Sequence, residues 1–207
     1  MTTSDNFWHK KFDQESYFYG TQPNDFLRLH AHHIPTGGRV LSIGEGEGRN
    51  AVYLAEQGYE VTALDAAQSG LDKVKKLADQ RGVQVKTQLV DLEDYVFEPA
   101  QWEGIVSIFC HLPALLRQHV HAQIGQSLNT NGVFLLEAYR PKQLEFKTGG
   151  PSHSALLYEA AILQEELSGL HFELLQEIER SIYEGDGHQG MSAVVQVLAR
   201  KRKGGPW

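Results

Sequence analysis

The chain reads as an α/β domain built on a mostly parallel sheet with helices on both faces. Three features point there. Short β-rich runs alternate with stretches of helical period. The runs RVLSI (39–43) and GIVSIF (104–109) are nearly continuous apolar segments, as strands covered on both faces are. A glycine turn follows the first of these and opens directly into a helix. The 207 residues, 41% of them hydrophobic, suffice for one sizeable core. No internal segment reads as a linker, so a single domain over 1–207 is expected.

In chain order, the aromatic stretch at 7–19 leads to Gly20, Pro23 and Asn24, and DFLRLHAHHI reads as a short helix with Asp25 near its start and Pro35 beyond its end. HAHH (30–33) reads as clustered surface histidines. Arg39–Ile43 is the first strand. A helix over Asn50–Gln57 stops at Gly58, and Glu60–Leu64 is the second strand, ended by Asp65. Leu71, Val74, Leu77 and Ala78 recur at helical spacing within 67–81, and Gly82 closes that helix. A third strand near Gln84–Val90 is followed by Asp91, and a fourth covers Gly104–Phe109. Leu112–Asn129 is helical and Gly132–Ala138 is the fifth strand. Two prolines and adjacent glycines mark 139–155 as an ordered insertion over a site. A helix near Leu156–Ser168 precedes two antiparallel strands, His171–Tyr183 and Met191–Arg200, joined by GDGHQG. The basic RKRKGG tail reads as frayed.

Composition narrows the function classes. A single cysteine, Cys110, cannot staple a fold and argues for a reducing, cytoplasmic setting and against a cysteine-based metal site; no metal site is expected. The first residues lack the apolar run of a signal peptide, and no stretch approaches the 18 apolar residues of a membrane span. A net charge of −7 disfavours a general nucleic-acid binder. A small-molecule partner is therefore expected, with neither nucleic acid nor membrane.

The most informative segment is LSIGEGEGRNAVYLA (41–55). Gly44, Gly46 and Gly48 let the backbone turn sharply and approach a ligand, and the next helix aims free N–H groups at the turn. Asp65, 21 residues after Gly44, ends the second strand where a carboxylate can accept both ribose hydroxyls; alternatively it caps the following helix. Asp91 ends the third strand, where it either meets an adenine amino group, with Leu92 on the ring, or caps a turn. Glycine turn and two acids at three consecutive strand ends favour the ligand. A nicotinamide site fits less well: its G-x-G-x-x-G fingerprint needs a glycine where Arg49 stands.

VLSIGEGEGRNAVYLAEQGYEVTALDAAQSGLDK resembles the first two motifs of class I methyltransferases that use S-adenosylmethionine, and VDLED (90–94) resembles the third. YGTQPNDFL (19–27), EAYRPKQLEFKTGGP (137–151) and YEGDGHQG (183–190) are similar to a bacterial group near the tellurite-resistance and thiopurine methyltransferases. The resemblance implies a Rossmann-like seven-stranded sheet with an antiparallel last strand, and S-adenosylmethionine as cofactor. It implies that Gly44, Gly46 and Gly48 approach the methionine part, Asp65 with Ala66 the ribose, and Asp91 with Leu92 the adenine. Phe109 joins the cofactor side, and the segment within 1–35 lies over the cofactor as a lid with Tyr19 nearest, its aromatics otherwise being ordinary core. Ser42 stands where the family usually has an acid, so the carboxylate contact to the cofactor ammonium is either absent or supplied by Glu45.

The acceptor belongs outside the fourth and fifth strands. FCHLP (109–113) lacks the Asn/Asp-Pro-Pro-aromatic run of adenine-modifying enzymes. His111 is either a base for a thiol or hydroxyl or a wall residue, and Cys110 in its apolar run is packing rather than a nucleophile. Tyr139 and Arg140 follow the fifth strand; Arg140 either clamps an anionic acceptor or pairs with Glu137 or Glu145. His188 either reaches over the crevice or sits in a flexible hairpin tip. The expected activity is methyl transfer to a small acceptor such as a thiol or metalloid oxyanion, the alternative being a non-catalytic module that binds S-adenosylmethionine or S-adenosylhomocysteine.

Overall fold

The computed structural model describes residues 7–203; the first residues of the expected lid and the end of the basic tail lie outside them. Five parallel strands, β1 (Arg39–Ile43), β2 (Glu60–Asp65), β3 (Lys86–Leu89), β4 (Trp102–Ile108) and β5 (Leu128–Tyr139), join the antiparallel pair β6 (His171–Glu184) and β7 (His188–Arg200). The order is β3-β2-β1-β4-β5-β7-β6, with β7 antiparallel to β5. Strand order reverses between β1 and β4, and that switch point opens a crevice at the strands' carboxyl ends.

Alternation along β1 fills both sides of the sheet. Leu41 and Ile43 enter one cluster with Val120 and Ile124 of α5 (Ala114–Ser127) and Leu163 of α7 (Ala160–Glu166). Val40 enters the other with Phe26 and Leu27 of α2 (Asp25–His30), Leu54 of α3 (Arg49–Glu56) and Leu71 and Val74 of α4 (Gln68–Arg81). α1 (Phe7–Phe12) lies against α4, and α6 (Gln143–Phe146) against β7. α4 stops where Gly82 turns left-handed at φ +69°.

Three differences from the sequence reading have local causes. α7 starts at Ala160, because Ser154–Leu156 is a single 3-10 turn and Tyr158 is drawn into the core: its N–H donates to Tyr139 O (2.9 Å) and its hydroxyl to Cys110 O (2.9 Å). β5 begins early, at Leu128, across an irregularity opposite β4 between Trp102 and Gly104. The β6–β7 hairpin closes on Gly185, Asp186 and Gly187 alone, so His188 belongs to a strand and is 3% exposed rather than sitting in a flexible tip.

Glu137, fully buried on β5, holds the acceptor end of the sheet together. It accepts two bonds from the Arg180 guanidinium (2.9 and 2.6 Å), one from Asn24 Nδ2 (2.6 Å) and one from Gln196 Nε2 (2.6 Å). Asn24 also caps α2, accepting from Leu27 N–H at 3.0 Å. Removing a single partner from such a set leaves a buried charge unpaired, at about 3–5 kcal/mol. Glu137→Ala is thus expected to lower the unfolding free energy by about that amount in urea titration, with Glu137→Gln losing less; equal stability of Glu137→Ala and wild type would show that the network contributes nothing net.

Candidate active site

The turn after β1 is shaped by a close approach. Gly44 sits at φ +61°, and a Cβ there would come within 2.5 Å of Cys110 Sγ, so the backbone of the turn lies directly against the Cys110 side chain, just past β4. Glu45, expected to face a ligand, is instead spent on the protein. Its Oε1 accepts from the Asn50 and Ala51 N–H groups (3.1 and 3.0 Å) at the start of α3, and its Oε2 is hydrogen-bonded by the Ser42 hydroxyl. Burial raises its pKa, against those donors and Arg49.

Asp65 closes the turn onto β2. Its Oδ2 accepts Gly46 N–H (2.7 Å) and its Oδ1 accepts Ala67 N–H (2.8 Å), with Ala66 between them. Burial raises its pKa, and the backbone donors of Gly46, Ala67 and Ala66 oppose that. Gly46 and Ala67 each bond one oxygen and Ala66 is a third backbone donor, so a carboxylate with about four lone-pair sites retains acceptor capacity. Asp91, at the carboxyl end of β3, is exposed and accepts Glu93 N–H (3.1 Å), a turn cap; Leu92 beside it is 8% exposed and packs in the cluster containing Ile43 and Leu64.

The N-terminal segment covers this turn. Phe12 lies over Gly46, where a Cβ would meet its Cζ at 3.2 Å, and Trp8 stacks on Phe12 at 5.5 Å. The residue that fastens the segment is Glu47, inside the glycine turn. Its Oε2 accepts Tyr19 N–H (3.2 Å), and its Oε1 accepts Lys73 Nζ (2.6 Å), which also donates to Ser16 O (2.7 Å). A charged residue between two turn glycines was the available signal for it.

On the acceptor side, Phe109 adopts φ +53°, unusual for a non-glycine residue. Its ring stacks on Tyr139 at 4.6 Å and meets His188 edge-on at 4.5 Å, and Tyr19 lies 4.6 Å from the same imidazole. Burial pushes the Tyr19 phenol up to about 12 and the Tyr139 phenol above its ordinary value. His111 is a wall residue: Nδ1 is 2.8 Å from Leu156 O, Nε2 accepts Tyr139 N–H at 3.3 Å, and burial takes its pKa down to about 4. The Cys110 thiol is pushed up to about 12 by burial and the nearby Asp65. Arg140 joins neither Glu137 nor Glu145. It turns to Glu177 (3.0 Å) and Glu179 (3.7 Å), whereas Glu137 is taken by Arg180.

Three site residues escaped the sequence reading: Arg49, Glu184 and Asn24. Glu184 accepts Asn24 Nδ2 on Oε1 (2.9 Å) and Arg49 Nη2 on Oε2 (2.8 Å), and the same Oε2 meets His188 Nδ1 at 2.9 Å. Two clefts of about 710 and 360 Å³ lie elsewhere, around Glu60 and Lys86, and share no wall with the turn, Asp65 or the strand-end aromatics. Among the described residues no cluster of His, Cys, Asp and Glu could hold a metal ion. What the crevice offers is a tight glycine turn packed on Cys110, Phe12 and Val74, a carboxylate with remaining acceptor capacity at the next strand end, and an aromatic cover. That set fits an adenosine-bearing cofactor such as S-adenosylmethionine.

Residues 40–132 match a family model described as a methyltransferase domain. The 2-heptyl-1-hydroxyquinolin-4(1H)-one methyltransferase of Mycobacteroides abscessus is 25% identical over 137 residues, 65% of this chain and 52% of that protein. The tRNA 5-carboxymethoxyuridine methyltransferase of Escherichia coli is 35% identical over 66 residues, 32% of this chain and 25% of that protein. The probable S-adenosyl-L-methionine-dependent methyltransferase TehB of Haemophilus influenzae is 30% identical over 86 residues, 42% of this chain and 30% of that protein. The crystal structure of that TehB superposes with a TM-score of 0.70 at 20% identity, over 95% of this chain and 66% of the other. The chain spans about half the length of the first of these curated relatives and less of the other two. Sheet order and these likenesses agree on the fold: residues 40–132 match a methyltransferase domain, and the whole sheet has the architecture of the TehB structure it superposes on.

Proposed function

We propose that this chain transfers the methyl group of S-adenosylmethionine to a small-molecule acceptor, within one domain in which 1–35 supplies the lid and 139–155 covers the acceptor side. The observation that carries the reading is the bond from Gly46 N–H to Asp65, which sets the glycine turn and a carboxylate side by side beside the switch point. The cofactor, when bound, supplies a methyl group already activated on a sulfonium, so the chain needs little acid–base machinery beyond positioning. In this reading the turn from Gly44 to Gly48 holds the methionine part, Asp65 the ribose hydroxyls, and Asp91 and Leu92 the adenine. Phe12 and Tyr19 keep water out, and Phe109, Tyr139 and His188 wall the acceptor.

The acceptor classes that suit this site are thiols, metalloid oxyanions and similar small nucleophiles. The Mycobacteroides relative is likewise named for a small molecule, a quinolinone. One relative acts on tRNA, but here a net charge of −7 and the FCHLP run support a small acceptor over a nucleic acid. No helix among the described residues is long and apolar enough to cross a membrane, and the lone buried cysteine suits a cytoplasmic setting. The engagement of Glu45 by Ser42 and α3 favours one second reading, a cofactor-binding module without turnover; binding with no methyl transfer across a broad acceptor panel would select it.

Two measurements test the reading. Calorimetric titration of wild type with S-adenosylmethionine is expected to give saturable heat, and Asp65→Ala to weaken Kd about a hundredfold, two charge-assisted hydrogen bonds at about 1.5 kcal/mol each. Unchanged affinity would end the ribose assignment. Lys73→Met, which cuts the lid fastening, is expected to speed cofactor dissociation about tenfold in stopped-flow fluorescence, since altered contacts act mostly on the off-rate. An off-rate equal to wild type would show that the segment is not a lid.

A further inference from the structure

We infer that His188, held by Glu184, takes the proton from an acceptor whose nucleophile is a neutral O–H, N–H or S–H; this rests on the methyl-transfer reading above and narrows its acceptor. The first step is the state of Glu184. Burial works against its charge, yet Arg49 and His188 hold its carboxyl down to about 2, so it is an ionised acceptor of hydrogen bonds. His188 Nδ1, 2.9 Å from that carboxylate, must therefore be the protonated nitrogen, which leaves the Nε2 lone pair as the ring's basic site. Nε2 makes no hydrogen bond among the described residues, in contrast to His111, both of whose nitrogens are engaged.

The second step is position. The His188 ring lies against Tyr19, Phe109 and Tyr139, at 4.6, 4.5 and 5.3 Å between centroids. Phe109 precedes Cys110, whose sulfur abuts Gly44, so the imidazole is one ring away from the cofactor turn. Arg49, first residue of the helix that follows that turn, shares Glu184 Oε2 with His188, and its Nη1 is buried with no partner among the described residues. An unpaired buried donor is costly, and an acceptor oxygen or ring nitrogen bound beside His188 would relieve it.

Charge decides the acceptor class. Arg49 and Arg180 are matched by Glu184 and Glu137, and Lys73 by Glu47, so these cations hold no excess charge for an oxyanion. A neutral X–H suits the balance. Its X lone pair forms the new bond to the methyl carbon, the carbon–sulfur bond breaks with its electrons going to sulfur, and the proton passes to Nε2. The imidazolium is stabilised by Glu184 until water takes the proton. Around the ring, Glu184 on β6 and Glu137 on β5 favour the charged form. Burial, Arg49 on α3 and the neighbouring His111 favour the neutral one, while the phenols of Tyr19 and Tyr139 stay neutral; the net direction is a lowered pKa.

The test has two arms. In the full-length protein, imidazole ¹⁵N and ¹³C spectra are expected to show the Nδ1–H tautomer for His188, titrating below the ordinary histidine range; an Nε2–H tautomer overturns the proposal whatever acceptor is used. With phenylmethanethiol and 4-hydroxyquinoline as proton-bearing probes and tellurite as an oxyanion probe, His188→Asn is expected to lower kcat on the first two by about 10²–10⁴-fold, leaving Kd for S-adenosylmethionine unchanged. Glu184→Gln is expected to move the acid limb of kcat/KM to lower pH, because it removes the negative charge that favours imidazolium. Full kcat in a folded His188→Asn, an unmoved acid limb in Glu184→Gln, or turnover confined to tellurite overturns it. Absence of cofactor heat in wild type would instead overturn the methyl-transfer reading itself.

Discussion

The 2.7 Å bond from Gly46 N–H to Asp65 is the constraint from which the site follows. It joins the loop leaving β1 to the end of β2, two strands that are neighbours in register from Arg39–Glu60 to Ile43–Leu64. Because Gly44 is pressed on Cys110 at the end of β4, the same loop is also located against the strand across the switch point. A loop held from both sides has little freedom, and binding energy need not be spent on ordering it.

The other fixed point is the pair of buried carboxylates, Glu137 and Glu184, bridged by the two donors of Asn24 Nδ2 at 2.6 and 2.9 Å. Through Asn24 the start of α2 is tied to β5 and β6, and through Arg49 the start of α3 is tied to β6. Buried charges are costly unless every partner is present. The acceptor wall is accordingly assembled from distant parts of the chain that must all arrive together. The N-terminal segment is held to the turn and α4 by Glu47 and Lys73, and to the β6–β7 hairpin by Phe18 O, which accepts the Asp186 N–H at 2.8 Å.

What was legible in the sequence is what local chemistry dictates. Alternating apolar residues specify strand faces, Gly82 ends a helix because it turns left-handed, and Gly44, Gly46 and Gly48 announce a turn at which side chains would collide. Arg49 was visible only as a missing glycine, because its partner lies 135 residues away; Asn24 bonds across 113 and 160 residues. Sequence spacing carries no trace of such pairs. His188 is the instructive case: GDGHQG has turn composition, yet three residues suffice to close the hairpin, and Glu184 and His188 fall opposite each other in register. Arg140 follows the same logic in reverse, since its carboxylates stand on β6 and not beside it in the chain.

Ser42 and Glu45 show how one substitution is absorbed by the fold. Where the methyltransferases it resembles usually carry an acid on the strand, this chain has Ser42, and its carboxylate stands three residues on, in the turn. From there it reaches the N–H groups of Asn50 and Ala51, which a helix start otherwise leaves for water or a ligand. The Ser42 hydroxyl then anchors the carboxylate's second oxygen. The positive end of α3 is thereby neutralised by the protein, so a bound ligand gains little from that helix terminus. In the proposed methyl-transfer reading its hold then comes from the strand-end acid, the turn backbone and the aromatic cover, and specificity for the acceptor passes to the charge-balanced wall built around Glu184.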